Sequence, residues 1–454
     1  MKNIIKLSLV FVLFFVSCSD SFIELAPISE GNADNFYKTP ADFEAAIIGA
    51  YSNLASDDQY GSSDTRYGGG FYALMEVRAD DASDGEASSG AGKDVFDIDT
   101  FEDNPLSDVI DGAWTSIFKT IFDANVVISR IDNIEIDSNL KNQYLGEAKF
   151  LRGLAYFNAV RLWGDLPVIL NEITPQEAAG LSRNSVAEVY AAIIADFTFA
   201  SQNLPASLLG RATSGAAKAL LGKVYLTQKD WSNAATILQE IVGSYQLLPN
   251  VEDVFDLDNE NNEEIIFAVK FRGGSDGLGH LGFGTPVYPS LTAQYDVSDT
   301  RLPLLDPVGT DPNSTYPVKQ FEPGGSELDR DFPVLRYADV LLMLAEALNE
   351  EGYQATGNAF TYLNQIRSRA GVSTYTSAEL TNQADFRQAV LNERQLELPL
   401  ELHRWFDLLR TDNAIQALSN VGVTAQQYQL LYPIPQNEIN VYNNPSQFPQ
   451  NPQY

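Results

Sequence analysis

Cysteine and histidine are almost missing from this chain: Cys18 is the one thiol, and His280 and His403 are the only imidazoles in 454 residues. A single cysteine excludes an internal disulfide framework, so stability has to come from burial. Two histidines far apart in sequence give neither an HExxH pair nor a histidine cluster, which argues against zinc hydrolysis. Basic residues are also scarce, 29 against 61 acidic, for a net charge of −32. A field of that sign repels phosphate backbones and anionic headgroups, which excludes nucleic acid as ligand and electrostatic attachment to a membrane. After the first seventeen residues no apolar run approaches the length needed to span a bilayer.

What is present begins at the N-terminus. Lys2 and Lys6 precede an apolar run from Leu7 to Val16, broken only by Ser8, which is how a secretory signal reads and is too short for a permanent span. The run ends in Phe15-Val16-Ser17-Cys18, a pattern similar to a bacterial lipobox, where cleavage exposes a cysteine for acylation. Cys18 is therefore the expected lipid-attachment residue. Loss of residues 1–17 removes two lysines and no acid, leaving 27 basic and 61 acidic residues, a mature charge of −34. Residues 18–34, polar and acidic with Pro27 and Gly31, read as a tether, and residues 35–454 as the body.

Helical periodicity starts at TPADFEAAIIGAYSNLAS, with Thr39 as cap and Pro40 in the first turn. It returns at Trp114 to Arg130, Lys141 to Trp163 and Val186 to Leu204. Arg211 to Gln228 and Trp231 to Ser244, joined by Lys229-Asp230, form an antiparallel pair resembling a tetratricopeptide unit, as do Val340 to Glu350 and Ala359 to Ala370. No fixed repeat period runs through the chain. Two stretches, about 56–112 and 249–332, fill with Gly, Ser, Asp and Pro and read as long loops, the second holding one strand-like run, EEIIFAVKF. Long ordered loops on a scaffold are where ligand contacts concentrate.

Catalytic and cofactor motifs fail on context. Gly277 to Gly282 satisfies GxGxxG, but Phe283-Gly284-Thr285-Pro286 follows where a helix must open to hold a pyrophosphate. Gly273 to Gly277 satisfies GxSxG without the strand-to-helix turn of a nucleophile elbow. Gly210 to Gly215 has phosphate-loop spacing, yet Ala216 stands where the lysine belongs, so it reads as a helix cap. Asp256, Asp258, Glu260 and Asn262 mimic the start of a calcium loop, but Asn261 replaces its turn glycine and Phe267 its closing glutamate. No metal and no cofactor is expected.

Several segments together resemble the RagB/SusD family: EAKFLRGLAYFNAVRLWGDLP (Glu147 to Pro167), LRYADVLLMLAEALNE (Leu335 to Glu350), LNQIRSRAG (Leu363 to Gly371) and ERQLELPLELHRWFDLLR (Glu393 to Arg410), in that order. Arg78-Ala79-Asp80-Asp81, EEIIFAV, Tyr432 to Pro435 and Gln450-Asn451-Pro452 add to the likeness. Leu402 departs from it, standing where the family usually has glycine; Pro399 interrupts the same helix, and Gln453 replaces a terminal glycine. The charges of Glu346 and Arg367, Arg394 and Glu397, and Arg404 and Asp407 suit ion pairs in the scaffold, and Trp163 and Trp405 suit a core.

The resemblance implies a mostly α fold, a tetratricopeptide-like helical superhelix with a large loop-rich region carrying few short strands. It further implies a lipid-anchored outer-membrane protein facing the exterior, which captures a glycan without catalysis and delivers it to a SusC-like TonB-dependent outer-membrane transporter. An oligopeptide receptor of the RagB kind is the alternative within the family; a tetratricopeptide adaptor and an enzyme are those outside it. All four tryptophans fall in expected helices, so a sugar-stacking platform has to come from tyrosine or phenylalanine. Candidates are Tyr60, Tyr67, Phe71 and Tyr72 in the first loop stretch and Phe283, Tyr288, Tyr295 and Tyr316 in the second, with Arg66 and Asn104 as polar companions. The acidic surface favours a neutral glycan.

Overall fold

The computed structural model describes residues 36–61, 70–83, 92–271, 287–305 and 331–454. The helices are α1 (Pro40–Leu54), α2 (Lys93–Asp99), α3 (Asp108–Arg130), α4 (Ser138–Trp163), α5 (Pro175–Ala179), α6 (Val186–Asn203), α7 (Ser214–Thr227) and α8 (Trp231–Gln239). After strand β1 (Ile265–Val269) come α9 (Pro289–Thr292), strand β2 (Phe332–Arg336), α10 (Tyr337–Glu351), α11 (Asn358–Arg369), α12 (Gln383–Glu397), α13 (Arg404–Arg410), α14 (Ala414–Asn420) and α15 (Gln436–Tyr442).

The helix starts are written in the sequence. Thr39 accepts from the Asp42 amide while the Asp42 carboxylate accepts from the Thr39 amide, a reciprocal cap that Thr174 with Glu177 and Ser185 with Glu188 repeat. Asp137 caps α4, and Thr213 caps α7, so the glycine-spaced segment before α7 is indeed the lead-in to a helix. Successive helices then pack in order: α3 on α4, α4 on α6, α6 on α7, α7 on α8, α8 on α10, and α10 on both α11 and α12. Each helix covers the apolar face its neighbour cannot bury alone, which is the logic of a tetratricopeptide array. Gly222 lets α7 and α8 approach closely, since a methyl group built on it would run into the Leu238 side chain. Gly222→Ala is accordingly expected to cost about 1–3 kcal/mol by overpacking, read as a lower urea midpoint with unchanged slope.

Two segments differ from the sequence expectation. β2 lies at the end of the second loop stretch and pairs antiparallel with β1, Ile265 opposite Arg336 and Val269 opposite Phe332. Its Pro333 masks it in sequence, yet a proline is tolerated in a two-stranded sheet because each strand keeps one edge free of ladder bonds. Within the first loop stretch, Phe71, Tyr72 and the π-helical turn Ala73–Val77 are buried, and α2 follows. That stretch therefore contributes core as well as loop.

Candidate functional site

A cleft of about 450 Å³ opens between α9, α12, α13 and α14. Gln388, Asn392 and Gln395 recur at four and three residues along α12, which puts them on one helix face, and Asn413 at the start of α14, Gln416 and Asn420 recur at three and four. Ser290 and Gln294 close the third side. Gln388 donates to Asn392 Oδ1 at 2.8 Å and Gln416 to Asn420 Oδ1 at 2.9 Å. Among the described residues each pair leaves a carbonyl oxygen on the glutamine and an NH2 group on the asparagine without a protein partner, so both faces present acceptors and donors side by side.

The charges of the cleft are spent on each other. Arg404 grips Asp80 through two bonds of 2.7 and 2.8 Å, and Gln395 donates to Asp81 Oδ1 at 2.6 Å. Burial pushes the Asp81 carboxyl well above its usual range, with Arg404 opposing and the Asp80 charge adding to the rise. Asp407 is held by Arg394 and Arg410. What faces outward is thus neutral and hydrogen-bonding, and no aromatic ring is among the lining residues.

The aromatic candidates fall into three groups. Tyr60, Phe71, Tyr72 and Tyr295 are core residues, each less than 10 % exposed (5, 0, 1 and 7 %), and the stacking role expected of them is corrected to packing. Tyr60 lies edge-on to Phe71 at 4.9 Å and its hydroxyl accepts from Asn158, while Tyr295 donates to the Leu396 carbonyl at 2.9 Å. Their segments turn inward instead of looping out. Tyr288 is only half-buried; its amide donates to the Asp81 carbonyl and it leads directly into α9, at the margin of the cleft. Burial and the nearby Asp99 push its hydroxyl up to about 12. Asn104 is exposed, and its side chain accepts from the Leu106 amide at 2.9 Å. Arg66, Tyr67, Phe283, Tyr316 and Cys18 lie outside the described residues, as do the GxGxxG and GxSxG segments. Among the described residues no group of three or more His, Cys, Asp or Glu is placed to hold a metal ion.

Comparison with known proteins adds to this geometry. Residues 38–226 match the family described as "Starch-binding associating with outer membrane", and residues 318–423 match the SusD family. The chain belongs to the RagB/SusD family. Among its RagB/SusD relatives is SusD-like protein P2 of Formosa agariphila, 28 % identical over 98 % of both chains. The starch-binding protein SusD of Bacteroides thetaiotaomicron is 22 % identical over 78 % of this chain and 81 % of its own. A solved laminarin-binding SusD-like protein superposes with a TM-score of 0.78 at 26 % identity, covering 92 % of this chain and all of that one.

Several residues of the RagB/SusD motifs serve the scaffold. Arg152 binds both oxygens of Asp196 at 2.7 Å and reaches Asn125 and the Leu170 carbonyl, fastening α4 to α6 and to the chain after it. Trp163 and Trp405 are fully buried. The six charged residues expected to pair do pair, but with other partners: Glu346 with Arg410, Arg367 with Glu393, Arg394 with Asp339 and Asp407, Arg404 with Asp80, and Glu397 with Arg336. Leu402 has an explanation too. Leu400 and Leu402 take left-handed backbone at φ 63° and 61°, and the buried Glu76 carboxylate accepts both their amides at 2.9 and 3.0 Å. Those two charge-assisted bonds offset the strain that glycine would otherwise avoid.

Proposed function

We propose that this protein captures a neutral oligo- or polysaccharide at the cell surface, without catalysis, and passes it to a SusC-like TonB-dependent outer-membrane transporter. The observation that carries the ligand class is the cleft whose ions are all internally paired and whose outward groups are amides and hydroxyls. Sugar hydroxyls both donate and accept, and paired Gln–Asn side chains answer them in the same alternation. The starch- and laminarin-binding relatives support the class. Tyr288, two residues before the cleft-lining Ser290, is the candidate ring at its margin, and Arg66, Tyr67, Asn104, Phe283 and Tyr316 remain candidates for a loop-borne part of the site.

Calorimetry against neutral and anionic polysaccharides and against peptide pools tests this reading. Binding to a neutral glycan is expected, nearly unchanged between low and high salt because few charges are neutralised. Asn392→Ala and Asn420→Ala, both at exposed positions, should each weaken it about 3- to 10-fold, the worth of one hydrogen bond of ~0.5–1.5 kcal/mol. Salt-sensitive binding to an anionic polymer alone, or binding to peptides alone, would overturn the ligand class. Full affinity in the double variant would move the site away from this cleft.

A further inference from the structure

A second, smaller cavity of about 30 Å³ lies deeper in the molecule, walled by α4, α7, β2 and the residues just before α13. That is room for one or two water-sized particles and for nothing as large as a carboxylate or phosphate. Arg161, Lys223 and His403 all line it, which gives it an unusual density of nitrogen donors.

Arg161 is the odd charge. Its guanidinium is clamped between the rings of Phe157 and Phe406, 3.7 and 3.6 Å from their centroids. Nε donates to the Phe157 carbonyl at 2.8 Å and Nη2 to Asn158 Oδ1 at 2.7 Å. Arg161 is part-buried, and among the described residues no carboxylate pairs with it and Nη1 has no hydrogen-bond partner. The charges around it are already balanced: Lys223, Arg394 and Arg410 are shared among Asp339, Asp407 and Glu346. Glu401, the acid on the cavity wall, is engaged through both oxygens by Arg336.

His403 supplies a further donor. Its Nδ1 faces the Lys223 ammonium at 3.3 Å, and since an ammonium can only donate, Nδ1 accepts and the ring proton sits on Nε2. Among the described residues Nε2 has no hydrogen-bond partner; Asp339 Oδ2 stands 3.9 Å away, and the side chain is 10 % exposed. Burial and the Lys223 charge hold the ring pKa down to about 3, so it stays neutral. Among the described residues, a buried N–H without an acceptor and a part-buried cation without a counterion thus share one small cavity. Water would satisfy the first and not the second.

We infer that this cavity is a binding site for a single halide ion, chloride in practice, held by Arg161 Nη1 and His403 Nε2. Crystals of the mature protein soaked in sodium bromide should show an anomalous peak in the cavity. In solution, the wild-type melting temperature should be about 1–3 °C higher in 0.3 M sodium chloride than in sodium gluconate at the same ionic strength, as linkage to a site bound only in the folded state requires. Arg161→Met, which keeps an apolar stem between the two rings, should lose both the peak and the chloride dependence. Ordered water alone in the cavity, equal melting in both salts, or a peak that survives in Arg161→Met would overturn the proposal. Should that variant fail to fold, the bromide map of the wild type decides by itself.

Discussion

Arg336→Met is expected to lose about 3–5 kcal/mol of stability, more than any substitution in the cleft. Arg336 is fully buried at the end of β2, where Nη1 meets Glu264 at 3.0 Å and Glu397 at 2.5 Å, and Nε meets Glu401 at 2.6 Å. Nη2 also donates to the Glu397 main-chain carbonyl. Arg369 reaches Glu264 and Glu397, and Arg301 reaches Glu397 and Glu393, so the network ties β1, β2, α11 and α12 together. Methionine would fill the space, leave Glu264 and Glu397 to Arg369 and Arg301, and take from Glu401 its Arg336 pair. The loss comes from those uncompensated charges, not from the volume change.

The pH dependence of that loss distinguishes charge from packing. Against the upward push of burial, Arg369, Arg336 and Arg301 hold the Glu397 carboxyl well below the ordinary glutamate value of 4.5. A depressed folded pKa contributes stability that is fully present above the unfolded value and is lost as pH falls through the folded one. The difference between wild type and Arg336→Met, measured by urea titration, should therefore be largest near neutrality and shrink steadily below pH 4.5, where the stranded carboxylates can take up protons. A difference that stays constant down to strongly acidic pH would mean that packing, not charge, is what the arginine supplies.

The long helices were legible because each carries its own signal. Thr39 and Ser185 cap where the sequence places starts, Thr213 caps α7 three residues beyond the expected start at Gly210–Arg211, and the pair α7–α8 follows from its short link. What stayed hidden depends on distant partners. Nothing local tells Arg404 to choose Asp80, 324 positions away, over Asp407 on its own helix turn. Tyr60, Phe71 and Tyr72 sit in a glycine- and serine-rich stretch that reads as exposed loop, and only the assembled core shows that their rings point inward. The cleft amides left a faint trace: Gln388, Asn392 and Gln395, then Asn413, Gln416 and Asn420, recur at helical spacing. In one helix that pattern is indistinguishable from a solvated face; it becomes a site when two such faces oppose each other.

Cys18→Ala is expected to move the protein from almost wholly membrane-bound to almost wholly soluble when it is expressed without any partner transporter. Among the described residues no helix is long and apolar enough to cross a membrane, so the proposed anchor is the lipid on Cys18. Each buried methylene of an acyl chain contributes about 0.8 kcal/mol, one chain holds only marginally and two or more hold firmly, which makes the transition steep. The charge of −34 expected after loss of residues 1–17 sharpens it further, because an acidic body is repelled from anionic headgroups and leaves no residual electrostatic attachment once the lipid is gone. Fractionation combined with an alkyne fatty-acid label reads both halves of the claim. The wild type should label and sediment with outer membranes, and Cys18→Ala should do neither. Asp20 and Glu24, just beyond the cysteine, are compatible with export to the outer face, so protease added to intact cells should degrade the labelled protein. Equal labelling of both forms would remove Cys18 as the attachment point. A soluble, unlabelled wild type would remove the anchor altogether, and labelled protein that resists the protease would place it on the inner face.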